Sequence, residues 1–310
     1  MNSFRTIAEG LQFPEGPISM PDGSVILVEI ARGTLTRVTQ EGRCEIIADL
    51  GGGPNGAAIG PDGACYICNN GGFEWETDKS SGGIRPVRQS DTYATGRIER
   101  VDLSTGKIDR LYDSCGSQSL NGPNDIVFDK AGNMWFTDLG KARERDMDRG
   151  VVYWARPDGS EIREVIQPIT TPNGIGLSPD EKTLYIAETE GARLYGFPIL
   201  GDAKVAKLDF PHSVNGGQLI TCDGGFRRFD SLAVEANGNI CVATLMTGGI
   251  TIANPLGGTD EFLDTGDPYT TNICFGGEDL RTAFITLSWK GLLVECPWQR
   301  PGLPLNFLNN

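Results

Sequence analysis

Six stretches of this chain repeat one pattern, and that repetition constrains the fold more than any other feature. They read "PEGPISMPDGSVILVEI", "PNGAAIGPDGACYICNN", "PNDIVFDKAGNMWFTDL", "PNGIGLSPDEKTLYIAE", "FDSLAVEANGNICVATL" and "TNICFGGEDLRTAFITL". Each carries a polar residue near its start, then a short apolar run, a Gly/Asp/Asn turn, and a second apolar or β-branched run. That order predicts a β-hairpin. The leading polar residues are Glu15, Asn55, Asn124, Asn173, Asp230 and Asn272. Seven residues after each stand Asp22, Asp62, Ala131, Asp180, Asn237 and Asp279, all in the turn. The intervening segments "GTLTRVTQEGRCEIIADL", "GRIERVDLSTGKIDRLYD" and "GVVYWARPDGSEIREVI" predict second hairpins. A unit of four strands in about 40–50 residues is the size of a propeller blade. The expected fold is therefore all-β: one domain over residues 1–310, a six-bladed β-propeller of four-stranded antiparallel blades. "RTIAEGL" resembles "CEIIADL", the last strand of a unit, so the N-terminal strand is expected to complete and close the last blade. Closure removes sheet edges that invite aggregation.

The composition supports this reading. Gly reaches 42 residues and Pro 18, which suits many tight turns and few long helices. No apolar run approaches the roughly 18 residues of a membrane-spanning helix. The start, "MNSFRTIAEG", has neither a basic segment nor an apolar h-region, so a cytoplasmic location and no membrane association are expected. The net charge of −14 disfavours nucleic acid and anionic membranes as partners but not cations or neutral small molecules. Eight cysteines are dispersed along the chain. Cys65 and Cys68 have CxxC spacing in a β context, where residues three apart point to opposite faces, so buried free thiols are expected rather than a metal or redox pair. His212 is the only histidine, which excludes multi-histidine metal sites and argues against a Ser-His-Asp triad.

In a propeller, a position repeated in every blade becomes a ring about the axis. If the leading polar residue starts each inner strand, Glu15 and Asp230 converge with Asn55, Asn124, Asn173 and Asn272 at the channel mouth. Two carboxylates brought together repel unless one protonates or a cation joins them. Carboxylates and amide oxygens are ligands for Ca²⁺, Mg²⁺ or Mn²⁺ first, and an oxygen-rich site can also take Zn²⁺ or Fe²⁺. Asn55 and Asn272 serve equally well as caps for backbone groups at strand starts.

The stretches containing "EGP", "GPNDIVFDKAGNMWFTD", "TPNGIGLSPDEKTLYIAE", "FDSLAVEANGNICVAT" and "TNICFGGEDLRTAFIT" resemble the SMP-30/gluconolactonase/LRE-like family over nearly the whole chain. The resemblance implies a six-bladed propeller that is a metal-dependent lactonase. It implies Glu15, Asn173 and Asp230 as ligands of one divalent metal ion, with Asn124 beside the metal and against substrate. On that reading Asp230 and Asn124 are catalytic: Asp230 takes the proton of a metal-activated water, and Asn124 orients substrate or stabilises the oxyanion. The substrate is a small lactone, sugar-type or aliphatic. Other hydrolytic or dehydratase-like chemistry at the same site, or a non-catalytic Ca²⁺- or ligand-binding propeller, are the alternatives.

The longest insertion, residues 69–96, is glycine-rich and carries Phe73, Trp75, Arg85, Arg88 and Tyr93. Loops of this length often form lids. Asn55, Arg85 and Arg88 are accordingly candidate substrate contacts, with a plain surface excursion as the other reading of the loop.

Overall fold

In the computed structural model, residues 4–309 are described. Six antiparallel sheets radiate from one axis. The first blade runs Pro14–Ser19, Val25–Glu29, Thr34–Val38 and Cys44–Asp49; the second, Pro54–Ile59, Cys65–Asn69, Arg97–Val101 and Ile108–Tyr112. The third holds Pro123–Phe128, Met134–Asp138, Gly150–Ala155 and Ile162–Ile169; the fourth, Pro172–Leu177, Thr183–Glu188, Arg193–Gly201 and Gln218–Cys222. The fifth is Arg228–Val234, Ile240–Leu245, Gly249–Ala253 and Thr259–Asp264. The sixth takes Thr270–Gly276, Thr282–Leu287 and Leu292–Pro297, and its outer strand is the N-terminal Arg5–Ala8, paired antiparallel to Leu292–Pro297. The ring is thus closed by strands from both ends of the chain, as expected. The first strand of each blade is innermost, and the sixth inner strand packs back against the first.

The seven-residue spacing has a local cause. The Asp or Asn in each turn accepts a hydrogen bond from the backbone N–H two residues on, an Asx-turn that closes the hairpin. Asp22 takes Ser24 N at 2.9 Å, Asp62 takes Ala64 N at 3.2 Å and Asp180 takes Lys182 N at 3.1 Å. Asn237 takes Asn239 N at 3.0 Å and Asp279 takes Arg281 N at 3.1 Å. The third blade has Ala131 there, and Asp129 does the work instead, accepting from Asn133 N at 2.9 Å.

Apolar side chains fill the spaces between blades. Cys65 packs with Ile18, Ile26 and Ile67 between the first and second blades, while Cys68 packs with Tyr66, Ile98 and Phe136 on the other side of its sheet. The two thiols therefore face opposite ways, and both are free. Burial pushes the Cys65 thiol up to about 12, so it stays protonated.

The channel itself is not filled. A cavity of about 400 Å³ lies along the axis, lined by Ile18, Ile126, Ile175, Leu232 and Ile273 and bordered at one end by Leu303–Leu308. The C-terminal segment is tied across that end. Leu303 N donates to Val234 O, and the Asn306 amide donates to Phe128 O and to Glu181. Among the described residues, no helix is long and apolar enough to cross a membrane.

Candidate active site

Every inner strand breaks its register at the repeated polar position. The irregularities fall between Glu15 and Ile18, Pro54 and Ala57, Pro123 and Ile126, Pro172 and Ile175, Phe229 and Leu232, and Thr270 and Asn272. A bulge lets two residues oppose one and re-aims their side chains. Six bulges turn six polar residues toward the axis. The glycine that follows several of them makes room for the next blade. A Cβ on Gly174 would lie 2.6 Å from Asp230 O and 2.8 Å from Leu232 N. Gly16, in the left-handed region at φ 54°, would meet Asn55 O at 2.7 Å. These clashes are with backbone, so the "EGP" and "PNG" glycines let adjacent ring residues approach one another.

The ring residues are all buried: Glu15 is 2% exposed, Asn173 4%, Asn55, Asn124 and Asn272 5–6%, and Asp230 9%. Glu15 is held by its neighbours. Its carboxylate accepts from the Asn272 amide at 2.7 Å, from Ser231 Oγ at 3.1 Å and from Gly16 N. Asn272 also accepts from Ile273 N at 2.7 Å, so its side chain is spent on positioning. Asn173 donates to Thr189 Oγ1 at 3.0 Å and lies against Asp230. Two of the ring's oxygens have no partner among the described residues: Oδ1 of Asn124 and Oδ1 of Asn173, both fully buried. Buried polar atoms are nearly always satisfied, so two orphaned acceptors beside two carboxylates call for an explanation.

The electrostatics point the same way. Burial, then the charges of Asp230 and Asp125, drive Glu15 well above the usual carboxylate range. Burial also raises Asp230, against the pull of the Asn173 hydrogen bond. Asp125, raised to about 7 by burial, is a third acid at the ring that the sequence pattern did not single out. It follows Asn124 where three of the other blades carry glycine (Gly16, Gly56 and Gly174), and a polar residue at that place was the available signal. Ser231, which follows Asp230, is another of this kind. Among the described residues, no three His, Cys, Asp or Glu side chains form a metal-ligating group, so any cation here relies on amide oxygens. The donor set fits that chemistry: two acids that resist ionising beside one another, and two unsatisfied amide oxygens, make an oxygen site for a hard cation.

The 69–96 insertion forms a hairpin, Phe73–Thr77 with Ile84–Gln89. It reaches from the second blade to the first and sixth. Trp75 packs on Phe13 with ring centroids 5.0 Å apart, and Gly83 sits against Trp289. The two candidate arginines separate. Arg85 pairs with Glu76 at 2.5 Å and lies beside Tyr269, whereas Arg88 is held by both oxygens of Glu74 at 2.6 and 3.2 Å. Lys141, unnoticed in the sequence, anchors the hairpin's base. Its ammonium donates to Gly72 O at 2.9 Å and to Asn70 Oδ1 at 3.3 Å, and lies 4.1 Å from the Phe73 ring centroid. Asp138 caps backbone, accepting from Asn121 N and Gly122 N at 2.7 Å each. Glu188 accepts from Thr170 N at 3.2 Å and also helps hold a strand end. His212 is exposed.

The fold and site define a closed six-bladed propeller with a buried ring of carboxylates and amides on its axis. Residues 13–288 match the family described as SMP-30/Gluconolactonase/LRE-like region, and the chain belongs to that family. It is 28% identical over 251 residues to lactonase drp35 of Staphylococcus saprophyticus, covering 80% of this chain and 68% of the relative. It is 25% identical over 325 residues to a gluconolactonase of Zymomonas mobilis, covering 93% of this chain and 80% of the relative. Among solved structures it resembles a regucalcin of Agrobacterium tumefaciens, described as a calcium-binding protein, with TM-score 0.77 at 18% identity over 100% of this chain and 98% of that one.

Proposed function

We propose that the chain is a metal-dependent lactonase that opens a small sugar-type or aliphatic lactone at the channel mouth. The observation that carries this is the buried Glu15–Asp230 pair, raised above the carboxylate range, beside the unpartnered Oδ1 atoms of Asn124 and Asn173. The lactonase and gluconolactonase names of its relatives support the reaction class.

Glu15, Asn173 and Asp230 would hold one divalent ion, with Ca²⁺, Mg²⁺ or Mn²⁺ best matched to their oxygens. When bound, such an ion supplies Lewis-acid polarisation of a carbonyl and lowers the pKa of water. The chain's own residues do the rest. Asp230 takes the proton of the attacking water: burial lifts it to about 8, and its carboxylate meets one asparagine amide, that of Asn173, whereas Glu15 is fixed by both Ser231 Oγ and the Asn272 amide. The Asn124 amide donates to the oxygen that gains charge as the ring opens. Asn272 and Ser231 keep Glu15 in place. The 73–89 hairpin shields the mouth and limits water access. No protein nucleophile is required, in keeping with the exposed His212. The partner is a small molecule; an acidic surface gives nucleic acid no foothold.

The test is proton release from a lactone panel, including D-glucono-1,5-lactone and δ-valerolactone, with Ca²⁺, Mg²⁺, Mn²⁺, Zn²⁺ or Fe²⁺ supplied singly. We expect at least one lactone to open about 10²-fold or more above background. If no lactone opens with any of these ions, the lactonase reading is wrong.

A further inference from the structure

The mouth of the site carries a feature that ring opening alone does not need. On a chain of net charge −14, Arg85 lies beside the Tyr269 phenol, and Arg228 pairs across its blade with Leu245, whose neighbour Met246 donates its N–H to Pro268 O at 2.8 Å, next to Tyr269. Arg85 arrives on the inserted hairpin from the second blade. Arg228 lies two residues before Asp230 on the fifth inner strand. Tyr269 comes from the segment leading into the sixth blade. Tyr269 is fixed by aromatic contacts, stacked on Trp289 at 5.8 Å and 8° and edge-on to Phe13 at 5.5 Å. Its hydroxyl lies beside Arg85, and the charges of Arg228 and Asp230 reach it.

Each arginine is steadied by one glutamate. Arg85 pairs with Glu76 at 2.5 Å, and Arg228 with Glu190 at 3.0 Å. Their side chains are 46% and 36% exposed. Such half-exposed pairs contribute little net stability, on the order of 0–1 kcal/mol, and exchange readily for another carboxylate. A guanidinium has five N–H donors, so a single glutamate leaves most of each fork free. A neutral lactone gains little from two cations at its rim. An anionic one needs them, because the chain's net charge of −14 opposes its approach.

We infer that Arg85, Arg228 and Tyr269 form an anion pocket beside Asp230, and that the lactone opened here carries a carboxylate remote from the reacting carbonyl. The inference rests on the lactonase reading above. The arginine forks match a carboxylate in shape, and the phenol O–H adds a donor beside Arg85. Binding energy at this group holds the ring carbonyl over the acids without contributing to the chemistry itself, so its loss shows mainly in KM.

The experiment compares D-glucaro-1,4-lactone with D-glucono-1,4-lactone, which share a ring and differ at C6, carboxylate against CH₂OH. Wild type is expected to favour the glucaro compound by about tenfold or more in kcat/KM, chiefly through KM. Arg228→Gln should cut that preference about tenfold, Arg228→Lys should restore part of it, and added NaCl should erode it. No preference for the carboxylate, or equal losses on both lactones in Arg228→Gln, overturns the inference while leaving the lactonase reading intact. If neither lactone opens, calorimetric binding of D-glucarate to metal-supplemented protein decides the pocket by itself. Binding about tenfold weaker in Arg228→Gln sustains the anion pocket, and equal binding or none in wild type rejects it.

Discussion

Asp230→Asn is expected to lower lactone turnover by about 10³-fold or more while leaving the metal-free fold at least as stable as wild type. The first half follows from Asp230's two proposed duties, holding the ion and accepting the proton of the attacking water. An amide keeps the shape and can still offer an oxygen, but it cannot take the proton. The second half follows from the site's surroundings. Asp230 is a buried acid whose ionised form is disfavoured by burial and by the charge of Asp125, and Glu15 feels Asp230 in turn. Making one member of such a group permanently neutral removes repulsion and breaks no ion pair. Proton-release kinetics and thermal unfolding in chelator, on the same preparation, read both halves. A loss under tenfold would place the base elsewhere. A large fall in stability would make Asp230 a structural residue first.

The metal-free protein is expected to lose stability as pH rises from about 4 to beyond about 7, and a divalent ion to reverse that trend. In the folded state Glu15, Asp230 and Asp125 all hold their protons above the usual carboxylate range, Asp125 up to about 7. In the unfolded chain they ionise near pH 4. Between those limits the folded chain binds more protons than the unfolded one. The stability these groups contribute is therefore fully present below about pH 4 and drains away as pH climbs through their folded values. An ion that binds only the folded, ionised ring restores it. At about 100 times its dissociation constant it adds ~2.7 kcal/mol, a rise in Tm on the order of 5 °C or more for a chain of this size. The increment should be small at pH 5 and largest at pH 8, as thermal scans with and without Ca²⁺ or Mn²⁺ would show. An increment independent of pH would mean that the ion binds away from these acids.

Much of this arrangement could be read from the residues because the repeat is stamped by turn chemistry. An Asp or Asn seven residues after the ring position closes five of the six inner hairpins, so the blades align by eye. The even spacing located the ring, and the likeness of "RTIAEGL" to "CEIIADL" located the closing strand. What stayed hidden depends on bulges and on contacts across blades. A strict two-residue alternation sends Asp125 and Ser231 away from whatever Asn124 and Asp230 face. The register breaks at those strands bring successive residues to the axis together. The length of the 69–96 insertion suggested a lid, but its direction is set by Trp75 on Phe13 and Gly83 on Trp289, residues of other blades. Tyr269 and Lys141 likewise belong to no repeat position. Glu15, held between two prolines, owes its place to partners more than two hundred residues away, Ser231 and Asn272.

The most direct test is to strip the chain with chelator and return one divalent ion in measured steps, following lactone opening and bound ion together in wild type and Asp230→Asn. The stripped protein should show negligible activity, a rise proportional to bound ion and saturation at about one ion per chain, with neither tight binding nor activity in the variant. Full activity in chelator, or activity that follows the ion equally well in Asp230→Asn, would contradict the metal-dependent reading.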